Sequence, residues 1–228
     1  MRILCVGQTG WVGKHVCRVL RERNHEVLDN LIEEPEAIIY LPWAGLPNYE
    51  STDHYHNLPW QKEFLHEVVD KGIKNITVTG TCLETVSIPP HYAIAKMALR
   101  DWLFKILPET KWARLWYLYG QGQPDHCLLP SIRKGIEEGK TDFHVIDGER
   151  DFISVEEASE CIVKITEQRF VTGIIDVCSG TATPVYRFVS NQIKRRILLT
   201  FDYPIPSYEP FRFHGDRTKL NDILQRAN

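Results

Sequence analysis

"RILCVGQTGWVG", residues 2–13, decides the fold. A short apolar run ends at Gly7, and Gly10 and Gly13 follow at intervals of three. Continuous apolar residues suit a strand buried on both faces. The pattern then changes to a helix from about Val12 to Arg23 that begins inside the glycines. A pyrophosphate can rest on the free N–H groups of a helix start only where side chains are absent, and the third glycine lets helix and strand pack closely. Glycine triplets also occur in ordinary turns. After the first strand of a chain, opening a helix, this one points to dinucleotide binding by Gly7, Gly10 and Gly13 with Thr9, Trp11 and Val12 between them. Asp29 stands 22 positions past Gly7, at the end of the brief strand "HEVL". There a carboxylate holds an adenosine ribose and repels a 2′-phosphate, which favours NAD over NADP while leaving NADP possible.

Outward from that stretch, strand and helix patterns alternate. "AIIYLPW" is a nearly all-apolar strand that ends in Leu41, Pro42 and Trp43, placed to line the cofactor cleft. A helix from about Leu58 to Lys71 follows, with Asn57 read as its N-cap. Then come the strand "NITVTG", a helix holding Tyr92 and Lys96, the strand "WARLWYLYG" and the helix "LLPSIRKGIEEG". Apolar strands separated by amphipathic helices define a doubly wound α/β fold with a parallel sheet. Past Gly120, prolines, glycines and aromatic residues crowd together and the elements shorten. The expected organisation is a nucleotide-binding domain over 1–120 and, over 121–228, a small discontinuous substrate lobe that returns elements to the first domain. In that lobe Ser154 and Glu157 form a possible capping box.

The bulk properties narrow the partners. A net charge of -3 and a pI near 6.3, with charges scattered, give no reason to expect nucleic acid or an anionic membrane. The longest apolar run, "AIIYLPWAGL", is too short to span a bilayer. Six cysteines lie far apart with no Cys-x-x-Cys, the pattern of buried free thiols in a reducing compartment and not of disulfides or a metal site. These features, and a start that lacks the order of a signal peptide, set the expectation of a soluble cytoplasmic protein with no metal.

A Tyr-x-x-x-Lys pair such as Tyr92–Lys96 arises by chance in many chains. Here it joins the Gly-x-x-Gly-x-x-Gly loop, and together they resemble the short-chain dehydrogenase/reductase superfamily. More narrowly the chain is similar to the extended branch, the NAD-dependent epimerase/dehydratase family that acts on nucleotide sugars. "NITVTGTCLE", "YAIAK", "RLWYLYGQGQ" and "DGERDFISVEEAS" resemble its motifs in the right order. The resemblance implies a Rossmann-type domain with a small substrate lobe, a nucleotide-sugar substrate, a homodimer packed through the helices at 58–71 and 92–107, and hydride transfer at a ring carbon, with C4 the favoured one. It implies Thr81, Tyr92 and Lys96 as the catalytic set. Thr81 would bond the reacting sugar oxygen, Tyr92 would move its proton, and the Lys96 ammonium, one turn along the helix, would stabilise the phenolate and hold the nicotinamide ribose. Arg150 matches an arginine that contacts the substrate diphosphate, and an ion pair between lobes is the other reading of it. Tyr117 stands where the family places a substrate-facing asparagine.

Two departures matter. Cys82 and Leu83 occupy the positions of a dehydratase's Asp-Glu pair, which argues against a 4,6-dehydratase. The segments between the second and third strands and between Glu84 and His91 are short. An epimerase and a ketoreductase both remain, with Asp29 leaning slightly toward the epimerase. A non-catalytic dinucleotide-binding module is the alternative from another class.

Overall fold

The computed structural model describes residues 1–206 and 208–226. The chain runs β1 (Arg2–Val6), α1 (Trp11–Glu22), β2 (Glu26–Leu28), β3 (Ala37–Tyr40), α2 (Asn57–Asp70), β4 (Ile76–Thr81), α3 (His91–Ile106) and β5 (Lys111–Leu115). It continues through β6 (Tyr117–Tyr119), α4 (Leu128–Glu137), β7 (Asp142–Ile146), β8 (Glu149–Ser154), α5 (Val155–Glu167) and β9 (Gly173–Val177). The last elements are β10 (Ala182–Pro184), α6 (Val185–Gln192), β11 (Leu198–Tyr203), β12 (Arg212–Phe213) and α7 (Thr218–Arg226).

Six parallel strands form the main sheet in the order β2-β1-β3-β4-β5-β9. The doubly wound expectation is borne out, with helices on both faces. Side chains alternate across β1: Ile3 and Cys5 join α1, α5 and α7 through Val16, Leu20, Ile162, Ile165 and Leu220. Leu4 faces the opposite layer, where Leu65 and Val68 of α2 and Leu99 and Leu103 of α3 cover β3 and β4. The strand order reverses between β1 and β3, the switch point where such sheets bind ligands at the carboxyl ends of their strands.

The first half of the sheet is curtailed. A full dinucleotide fold carries a further strand outside β2, but here β2 is the edge. The chain crosses from β2 to β3 through residues 29–36, with only the 3-10 turn Leu31–Glu33 in place of a helix. Asn30 opens that turn by accepting the Ile32 N–H.

"WARLWYLYG", read as one strand, is two. β5 ends at Leu115, the chain steps out of the main sheet at buried Trp116, and β6 pairs with β8 in a second sheet. That small sheet also holds β10 and β12, while β7 and β11 form a separate pair. Phe152 stacks flat on Phe188 with ring centroids 3.7 Å apart, in a cluster with Leu129, Val145 and Val189. Ser154 caps α5 by accepting the Glu157 N–H, but the expected capping box is only half made, since the Glu157 carboxylate turns to Arg217. All six cysteines are free thiols, five of them buried.

Candidate active site

The glycine loop is shaped by close approach. A Cβ on Gly13 would stand 2.1 Å from the Gly7 carbonyl oxygen, so no other residue lets α1 lie this near β1. Gly7 takes φ +89°, and Leu41 and Pro42 close on it from β3, 3.4 and 3.5 Å from where a Cβ would sit. Gly10 caps α1 without a side chain, which leaves the first N–H groups of the helix, those of Trp11, Val12 and Gly13, to a ligand or to water. Beside them a cleft of about 450 Å³ is lined by Gly7, Gln8, Thr9, Asp29, Asn30 and Ile32 among others. Asp29 takes a hydrogen bond from Gln8 Nε2 at 3.0 Å, and Glu33 Oε1 in turn accepts the Asp29 N–H. Free N–H groups, an uncluttered loop and two carboxylates at the far end fit a dinucleotide without a 2′-phosphate. The Trp11 indole turns away from the cleft and donates to the Gln121 carbonyl at 2.8 Å, where His15 Nε2 also bonds.

β4 delivers Thr81, and the first turn of α3 delivers Tyr92 and, one turn on, Lys96. All three are buried. Burial pushes the Tyr92 phenol well above its usual range, with Tyr49, Cys82 and Glu84 adding to the effect and a hydrogen bond with the Thr81 side chain opposing it. Lys96 Nζ donates to the Thr79 carbonyl at 2.8 Å and sits 4.5 Å from the centre of the Trp43 ring. Burial lowers its ammonium to about 7, with the Glu84 charge working against that fall. The structure thus brings Thr81 to Tyr92 while the Lys96 ammonium is spent on a carbonyl and an indole face.

The loop after β3 forms a wall over this set. Trp43, Tyr49 and His54 pack around Tyr92 with ring centroids 5.2–5.7 Å away, and the Tyr92 N–H donates to the Tyr49 carbonyl. Trp43 Nε1 donates to His54 Nδ1 at 3.2 Å, and His54 Nε2 reaches the Asn48 carbonyl at 2.7 Å, a chain served by the tautomer protonated on Nε2. Asn57 does not cap its helix, contrary to expectation. It is the first residue of α2, and its amide instead brackets Ala44, accepting that residue's N–H at 3.0 Å and donating to its carbonyl at 3.2 Å. A side chain able to give and take both bonds staples the wall loop to α2.

Arg150 lies on β8 in the small sheet, buried, with its guanidinium 5.8 Å from the Tyr117 ring. Its Nε and Nη2 reach Glu209 at 2.9 and 2.7 Å, and Nη1 donates to the carbonyls of Glu149, Pro210 and Phe211. A phosphate could reach this guanidinium only by displacing Glu209. Tyr117, packed against Phe152 and Phe213, has a phenol that burial raises well above its usual range.

Sequence reasoning passed over Glu84, which accepts bonds from the Thr81 N–H and from Trp112, and over His54, which fixes Trp43. A signal for Glu84 was present in Gly80: glycine inside a buried strand marks a close approach. Among the described residues no cluster of His, Cys, Asp and Glu could hold a metal, and no helix is long and apolar enough to cross a membrane.

Sheet order, glycine loop and Tyr-x-x-x-Lys helix agree with the resemblance to the extended short-chain dehydrogenase/reductases and their NAD-dependent epimerase/dehydratase family, and the similar proteins bear that resemblance out. The UDP-N-acetylglucosamine 4-epimerase from Bacillus cereus superposes with a TM-score of 0.80 over 99% of this chain and 93% of its own, at 16% identity. Two curated relatives come from Aggregatibacter actinomycetemcomitans. The dTDP-6-deoxy-L-talose 4-dehydrogenase (NAD(+)) is 25% identical over 79% of this chain and 85% of its own. The GDP-6-deoxy-D-talose 4-dehydrogenase is 24% identical over 98% and 91%. No protein-family profile matches the chain.

Proposed function

We propose that this protein is a nicotinamide-dependent oxidoreductase of a nucleotide-linked sugar, acting at C4 as a ketoreductase and, in reverse, as a 4-dehydrogenase. The observation that carries the reading is the meeting of Thr81 with a buried Tyr92 phenol that burial keeps protonated. A phenol held in its protonated form is ready to donate. Thr81 would bond the sugar's C4 oxygen and Tyr92 would give that oxygen its proton as the carbonyl is reduced. Lys96 would turn from Thr79 toward the nicotinamide ribose and the phenolate left behind. The bound cofactor supplies or withdraws the hydride. The first N–H groups of α1 would hold its pyrophosphate and Asp29 its adenosine ribose, which favours NAD.

Both curated relatives are named as 4-dehydrogenases of 6-deoxy sugars on nucleotides, which supports the oxidoreductase over the epimerase toward which Asp29 alone leans. A 6-deoxy sugar also suits the apolar surroundings of Tyr92, where Cys82, Leu83, Val86 and Phe213 cluster. Trp60 and Ile94, 43% and 37% exposed on α2 and α3, support a homodimer packed through those helices.

The test is incubation with dTDP- and GDP-linked 4-keto-6-deoxyhexoses and reduced nicotinamide. Stoichiometric cofactor oxidation is the expected result. Interconversion of two sugar nucleotides by protein that retains NAD, with no net oxidation, would establish the epimerase instead. Cofactor binding with no turnover of any sugar nucleotide would leave the binding module.

A further inference from the structure

We propose that Glu84 is a positioning residue for this chemistry: one carboxylate oxygen fixes the backbone of Thr81, and the other, held by Arg100, sets the carboxylate against the face of α3 that carries Lys96. The proposal rests on the roles given above to Thr81, Tyr92 and Lys96.

The Glu84 side chain is fully buried. Its Oε1 accepts the Thr81 N–H at 2.8 Å and the Trp112 indole N–H at 2.9 Å. Its Oε2 accepts from Arg100 Nη1 at 2.8 Å, with Arg114 Nε at 3.8 Å. A Cβ on Gly80 would lie 2.5 Å from Oε1 and 2.1 Å from the indole nitrogen, so the strand is bared to admit this group. The local gain is small: Glu84 and Thr81 form a capping box on a single 3-10 turn, Cys82–Thr85. Burying a carboxylate costs several kcal/mol before its partners repay it, far more than one short turn returns. What the arrangement secures is the orientation of Thr81, whose Oγ1 faces the Leu83 N–H and the Tyr92 phenol.

The charge has a second effect. Lys96 and Arg100 are one helical turn apart on α3, so a carboxylate bound to Arg100 lies on the Lys96 side of the helix. Arg100 is shared with Asp101, and Arg114 with Asp176. Tyr92 itself is faced by Trp43, Tyr49, His54, Cys82 and Thr81, and the Glu84 carboxylate acts on it too, raising its phenol as it raises Lys96. Glu84 is the acid that acts on Lys96 and resists the loss of its proton in this buried place.

The test compares wild type, Glu84→Gln and Trp112→Phe in kcat, KM and cofactor Kd across pH, with thermal melts. Gln keeps the size and one acceptor but removes the charge; Phe removes a donor and keeps the charge. For Glu84→Gln the expected result is a kcat lower by about tenfold or more, a cofactor Kd within about threefold of wild type, and an alkaline fall in kcat displaced to lower pH, since one pKa unit follows from about 1.4 kcal/mol of lost interaction. Trp112→Phe should melt earlier and keep the wild-type pH profile. Wild-type kcat and pH profile in Glu84→Gln would overturn the proposal, whatever the change in melting temperature.

A second readout needs no turnover. With its folded pKa lowered, Lys96 makes stability rise with pH as the folded state releases a proton that the unfolded state keeps. In Glu84→Gln that rise should start at lower pH than in wild type, and Glu84→Gln with Lys96→Met should abolish the shift. An unshifted onset would overturn the charge role even if no sugar nucleotide proved to be a substrate, an outcome that would separately sink the proposed function.

Discussion

At the glycine loop the groups placed to meet a ligand are backbone N–H groups, set in place by Gly7, Gly10 and Gly13. At the Tyr92 end they are side chains, buried under Trp43, Tyr49 and His54, with their polar atoms already engaged. The first end is finished before anything binds, because peptide dipoles at a helix start need no rearrangement. On the proposed reading the second end would exchange partners: Lys96 would leave Thr79, and the aromatic wall would admit a sugar. Affinity for a cofactor and competence for chemistry are therefore built by different means and should fail separately.

The sharpest way to break that division is Tyr92→Phe. Loss of the proton donor should reduce kcat by about 10³-fold with cofactor Kd unchanged, read by single-turnover kinetics beside titration calorimetry. Equal losses in both would show that the two ends are one unit. Gly13→Ala attacks the other end. Its Cβ meets the Gly7 carbonyl at 2.1 Å, a clash with backbone that should cost about 3 kcal/mol of stability and weaken cofactor binding in parallel, measured by urea unfolding with and without NAD.

A smaller effect comes from pH. Lys96 falls to about 7 in the folded protein and returns to about 10.4 when unfolded. Between those values the unfolded chain binds the extra proton, so this group adds stability as pH rises. Lys111, lowered to about 8 by burial, acts in the same direction, whereas buried thiols such as Cys82, pushed up by burial, oppose it. The difference between wild type and Lys96→Met isolates the one lysine and should grow by about 2 kcal/mol from pH 7 to pH 9. A flat difference would mean that the Tyr92 end is wetter than described. The smallest effect should be that of Asp29→Asn, which relieves repulsion of a 2′-phosphate and should raise the NADPH-to-NADH preference by about tenfold, seen in Kd and not in kcat.

The same contrast explains what could be read without coordinates. The glycine loop, the alternation of strands and helices and the Tyr92–Lys96 spacing are local patterns that predicted their elements within a residue or two, except that β3 stops at Tyr40, three residues short of the Trp43 read as its end. Trp116 as a break between two sheets was not legible, because nothing local distinguishes one strand of nine residues from two that part company. Asn57 misled for a related reason: asparagine before an apolar helix is the pattern of a cap, and its bonds to Ala44 depend on where the wall loop passes. Glu84 finds its partners on β4, β5 and α3, and only Gly80 hinted at it. For Arg150 two roles were open from sequence, and the structure spends its guanidinium on Glu209 and three carbonyls.

The curtailed crossing from β2 to β3 has a kinetic consequence. With β2 at the edge of the sheet and one 3-10 turn where a helix would stand, few elements wall the adenosine side of the proposed cofactor site. Changes in such walls act mainly on dissociation rates. A protein that releases its nicotinamide between turnovers treats it as a traded reactant and not as a fixture. The direction in which it runs would then follow the ratio of oxidised to reduced nicotinamide around it, so that the sugar it leaves behind records the redox state of its surroundings.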